Sequence, residues 1–162
     1  MKILEYNRTN ATDYAKTWAK KRNPIYYNFD GIGGDCTNFV SQCIYAGSSV
    51  MNYEKVFGWY YNSINDRTPS WTGVEFLYLY LIKKNRPGPF ASLVDKYLVE
   101  LGDVVQLGNS NGEFFHTAIV TGFLHNNDIL VSSHSRDFFN VPLYVFNFSL
   151  IRYLHIEGVY LN

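Results

Sequence analysis

Residues 33–43 read GGDCTNFVSQC. Two glycines, which tolerate left-handed backbone, lead into Cys36, Phe39, Val40, Cys43 and Ile44, whose spacing places them on one face of a helix. Asp35 occupies the N-cap position, and Gly47 supplies a C-terminal stop. Cys36 thus opens a helix, where unpaired N–H groups and the helix dipole favour a thiolate. The same N–H groups can donate to an oxyanion, so a nucleophile and its oxyanion donors would share one short segment. Cys43, two turns further on, reads as a small core residue. Two turns separate the cysteines by roughly 10 Å, too far for a disulfide.

Upstream, NATDYAKTWAKKRNP puts Ala11, Tyr14, Ala15, Trp18 and Ala19 on one face of an amphipathic helix, with lysines and Arg22 in its last turn and Pro24 beyond. Residues 48–73 are irregular and crowded with Trp59, Tyr60, Tyr61 and Trp71, an aromatic wall that could hold a peptide or a sugar or could fill the core. A third helix is predicted over 73–84, ended by NRPGP at 85–89, and a further short helical stretch near 90–100. Then GDVVQL, FFHTAIVTGFL and DILVSSHS, separated by NSNGE and HNN, predict an antiparallel meander, with YLHIEGVYL as a last strand. Helices first and strands after give an α+β layout, and 162 residues suffice for a single domain over 1–162.

A cysteine nucleophile needs a base. His116 begins the strand HTAIVTG, and a turn at HNN brings residue 116 opposite roughly 134 or 135, so His134 at the end of the next strand could share its rim and orient it. His125 falls in the turn and His155 in the last strand, as a solvated and a half-buried histidine respectively. No paired CxxC or HxxxH spacing supports a metal site, and no cofactor is implied.

Composition narrows the partners. Lys+Arg and Asp+Glu number 14 each, which argues against nucleic acid or an anionic membrane as partner. The chain begins with a three-residue apolar start, shorter than the apolar stretch of a secretion signal, and no window approaches the roughly 18 apolar residues of a membrane span. A soluble monomer is expected.

The order GGDCTNFVSQC, GDVVQL, HTAIV, SSHS resembles the putative amidase domains of Gram-positive bacteria, a branch of the NlpC-like, papain-like cysteine hydrolases. The likeness runs from NATDYAKTWAKKRNPIYYNFDG through SWTG to HSRDFFNVPL. It implies a papain-like fold in which N-terminal helices, with the nucleophile at a helix N-terminus, pack on an antiparallel sheet. It also implies Cys36, His116 and His134 as catalytic residues, with Ser132 or Asp137 as alternatives for the third; beside them, Asp35 and the wall residues Trp59 and Trp71 are the candidates for contact with substrate. The substrate would be an amide bond of a cell-wall peptide, with extracellular or wall-associated action. Acyl transfer would use the same residues, and a silent peptide- or glycan-binding module would use the aromatic wall alone. Rapid alkylation of Cys36 near neutral pH is the expected mark of an activated thiol.

Overall fold

The computed structural model describes all 162 residues. Helix α1 (Arg8–Trp18) starts where Asn7 accepts the Asn10 N–H at 2.9 Å, and its Ala11 and Ala15, with the capping Ala19, are wholly buried. These small side chains let it lie close to α2 (Cys36–Ser48). Gly47 does not end α2, as the sequence suggests, but lies inside it; a Cβ there would come within 2.5 Å of the Tyr6 ring and 2.7 Å of the Asn7 carbonyl. The helix ends instead at Ser49, at φ 56°.

The chain is α+β, with one seven-stranded antiparallel sheet. Strands β1 (Lys2–Leu4) and β4 (Gly88–Val94) and the meander β5 (Val104–Gly108), β6 (Phe114–Phe123), β7 (Ile129–Ser133) and β8 (Phe138–Pro142) are tied together by β9 (Leu150–Leu161). That last strand pairs with β1, β4 and β5. Along the chain between α2 and β4 come a small hairpin, β2 (Tyr61–Ser63) with β3 (Asp66–Arg67), and helices α3 (Pro69–Thr72) and α4 (Val74–Leu81).

Alternation along the strands sorts the core into two layers. Val104, Ile119 and Leu154 face the helices, alongside Ala15, Phe39 and Trp71. Val105, Leu107, Ala118, Val120 and Val131 face the other way, under Phe146 and Phe148. The helix expected near 90–100 is instead β4 followed by a 3-10 turn, Lys96–Leu98. Phe90, Leu93, Val94 and Tyr97 have helical spacing, yet the free edge of β9 takes the segment as a strand, and a bulge between Phe90 and Ala91 lets both be buried.

Candidate active site

Cys36 is the first residue of α2 and is 7% exposed. Thr37 Oγ1 lies 3.8 Å from its sulfur, and the nearby backbone N–H groups of Thr117 and Thr37 favour the thiolate. Burial pushes the thiol up from its ordinary value, and those donors do not overcome it; the nearby Asp35 charge adds to the rise. At rest the group is therefore a neutral thiol, not the thiolate its helix position suggests. In front of it the loop is open: a side chain at Gly31 or Gly33 would meet nothing within 4 Å, and both have the positive φ that favours glycine.

His116 stands in β6 opposite Leu107, on the sheet face away from the helices, with its ring 5.1 Å from that of Phe146. Its Nε2 is buried without a hydrogen-bond partner, and burial pushes its pKa down to about 4. Thr37 Oγ1 lies 2.9 Å from Thr117 Oγ1, so the residue after Cys36 docks on the residue after His116. Thiol and imidazole are both neutral and are not hydrogen-bonded to each other.

His134 does not orient His116. The β6–β7 register pairs Ile119 with Ser132 and Val120 with Val131; carried to the strand ends, it sets His134 opposite Thr117. The two histidines thus fall on opposite faces of the sheet, because one residue of register changes the face. Stacked on Phe39 at 4.1 Å, His134 engages both ring nitrogens: Nε2 donates to the Trp18 carbonyl at 2.8 Å, at the end of α1, and Nδ1 lies 2.5 Å from Asp35 Oδ2. The alternatives are occupied too. Ser132 Oγ bonds Thr121 Oγ1 at 2.8 Å and accepts the Asn140 N–H at 3.0 Å, while Asp137 receives two Arg22 bonds at 2.9 Å.

Asp35, expected about the substrate, is wholly buried. Its Oδ1 accepts from the Phe29 N–H at 2.8 Å and Asn38 Nδ2 at 2.9 Å, and its own N–H donates to Ser135 Oγ at 3.2 Å. Burial works against this carboxylate, yet the bonds from His134, Asn38 and Phe29 together hold its pKa below the usual range. The turn after β7 therefore grips the residue before Cys36 with both His134 and Ser135. Asp35 is an anchor, and its side chain caps no helix N–H.

Trp59 and Trp71 are likewise inside, each 0% exposed. Their rings pack 4.7 Å apart, and their N–H groups donate to Ser41 Oγ at 3.2 Å and Asn38 Oδ1 at 3.0 Å, both on α2. They brace the helix that carries Cys36 and offer no face to a substrate. A hollow of about 710 Å³ opens at the far end of the β6–β7 hairpin between Tyr97, Phe123 and Tyr144, and none of the candidate site residues lines it.

One polar group of residues near Cys36 escaped the sequence reading. Arg152 of β9, Gln106 of β5 and Thr117 of β6 are direct cross-strand neighbours. Arg152 donates to Gln106 Oε1 at 2.9 Å and 2.6 Å, Gln106 Nε2 reaches Thr117 Oγ1 at 3.2 Å, and Thr117 Oγ1 lies 2.9 Å from Thr37 Oγ1 on α2. The available signal was a glutamine and a threonine at strand positions that face a buried layer, where a polar side chain needs a partner.

Two proteins of Bacillus subtilis (strain 168), each described as uncharacterized, are similar to this chain. YhbB is 33% identical over 141 residues, covering 84% of this chain and 43% of its own length; YjcM is 34% identical over 149 residues, covering 86% and 33%. The chain thus spans less than half the length of either relative. No solved structure matches it. The family described as "Putative amidase domain" matches residues 5–156, and with that span the chain belongs to this amidase-like family.

Proposed function

We propose that this chain is a cysteine-dependent amide hydrolase of papain-like design, in which Cys36 is the nucleophile and His116 the base. The observation that carries the reading is the contact of Thr37 Oγ1 with Thr117 Oγ1 at 2.9 Å, which docks the residue after Cys36 on the residue after His116. Burial keeps both partners neutral, so the reaction starts from a thiol and an imidazole, not from an ion pair.

As the sulfur bonds to the amide carbonyl carbon, the thiol proton passes to His116. The backbone N–H at the start of α2 donates to the oxyanion. His116 then gives the proton to the leaving amine as the C–N bond breaks, leaving a thioester. Water, deprotonated by His116, attacks the thioester, and the carboxylic acid leaves as the thiol regains its proton. Asp35, His134, Trp59 and Trp71 act by fixing α2 in position.

The resemblance noted from the sequence makes bacterial cell-wall peptides the proposed substrate. A silent binding module has lost its support, since the aromatic wall on which it rested lies in the core. Incubation with purified Gram-positive wall material and mass analysis of released fragments tests the reading. Wild type should release fragments with new carboxyl and amine ends, and Cys36→Ala and His116→Ala should not. Equal release by wild type and Cys36→Ala would overturn it.

A further inference from the structure

From Arg152 through Gln106 to Thr117 the row of hydrogen bonds has a fixed direction. Arginine can only donate, so Gln106 must turn Oε1 toward it. The Val74 carbonyl can only accept, and it lies 2.9 Å from Gln106 Nε2, which fixes the same orientation from the other end of the amide. Gln106 Nε2 therefore donates to Thr117 Oγ1, which leaves the Thr117 hydroxyl proton available to Thr37 Oγ1, 2.9 Å away. In that arrangement the Thr37 hydroxyl proton is available to the Cys36 sulfur, 3.8 Å away.

Every donor in this row points toward the cysteine, and its far end is a permanent positive charge. Arg152 is held between the rings of Tyr78 and Phe114, 3.7 Å and 3.8 Å from their centroids, and pairs with Glu75 at 2.9 Å. Successive hydrogen bonds of one direction polarise each other, most effectively where water is excluded. Gln106, Thr117 and Thr37 are each 0% exposed.

We propose that Arg152, Gln106, Thr117 and Thr37 form a directed donor chain across the sheet that stabilises negative charge on Cys36 as its proton leaves. Gln106 and Arg152 are positioning residues that act through the two threonines. The inference rests on Cys36 being the reactive thiol, but its test needs no substrate.

The test is the pH profile of Cys36 alkylation by iodoacetamide, read by peptide mass analysis so that Cys43 is counted separately. Thr37→Val should slow the reaction about tenfold at a given pH, the worth of one hydrogen bond, and move its midpoint to higher pH, whereas Thr37→Ser should restore it. The decisive variant is Gln106→Glu, which keeps the side-chain shape and the Arg152 pair but cannot donate as a carboxylate. Thr117 would then donate to residue 106, Thr37 would turn to Thr117, and the sulfur would lose its hydroxyl donor although nothing beside it was replaced. Profiles for Thr37→Val and Gln106→Glu that match wild type would overturn the proposal, as would a shift in Thr37→Val without one in Gln106→Glu. The amide-hydrolase reading fails separately, if Cys36→Ala keeps full activity against wall material.

Discussion

Asp35 Oδ2 and His134 Nδ1 lie 2.5 Å apart, both side chains 1% exposed, one residue before the cysteine that opens α2. Of the charges near that carboxylate, the next is Arg22 Nε at 3.3 Å. Removing one member of a buried pair leaves the other without compensation, at a cost of about 3–5 kcal/mol. His134→Ala should therefore lower the urea midpoint strongly, and His134→Gln should recover part of the loss by keeping one donor. If His134→Ala kept wild-type stability and lost only turnover, His134 would return as the residue that orients His116.

Cys36→Ala and His116→Ala should each abolish turnover and leave the far-UV circular dichroism unchanged. Cys43→Ala should do the reverse, keeping the rate and costing about 1 kcal/mol, because Cys43 is 0% exposed in the helix-side core. Chemical denaturation together with a rate assay on the three variants checks this.

Stability should carry a His116 signature in mildly acidic solution. The folded imidazole titrates at about 4 against an ordinary 6.5, so between those values the unfolded chain binds the proton and the folded one does not. The contribution is complete above about pH 6.5 and is lost as pH falls toward 4. The slope is at most one proton, roughly 1.4 kcal/mol per pH unit. Urea titrations from pH 7 to 4 on wild type and His116→Gln should differ in slope across that window alone; parallel curves would show that the imidazole titrates normally.

The rate should follow the same group. A mechanism that starts from a neutral imidazole keeps kcat/KM flat from neutrality to well below 6.5 and loses it only as His116 is protonated near about 4. Alkylation of Cys36 should be slow near neutrality and rise above the ordinary thiol value of 9.0, because burial disfavours the thiolate. Fast alkylation at pH 7 would point instead to a thiolate–imidazolium pair at rest.

Much of this was legible from pattern. The Cys36 helix, the alanine face of α1, the β5–β6–β7 meander and the turn near residues 124–128 all follow from periodicity and turn chemistry. Two things were not. The segment at 90–94 has helical spacing, and only the presence of β9 beside it makes it a strand. For the histidines, the register was legible to within one residue, but one residue decides which face a side chain occupies, so the expected His116–His134 contact became two unrelated sites. The Arg152 row joins the β5–β6 hairpin to a strand distant in sequence, and no local pattern announces it.

The dependence on β9 also sets an order of events during synthesis. Cys36 leaves the ribosome, with its glycine loop and helix, well before Arg152 and the strand that pairs with β1, β4 and β5. Until that strand docks, β5 lacks one neighbour and the row that ends at the cysteine has no charged origin. A growing chain thus carries the Cys36 sulfur for a stretch of translation without the surroundings that β9 supplies.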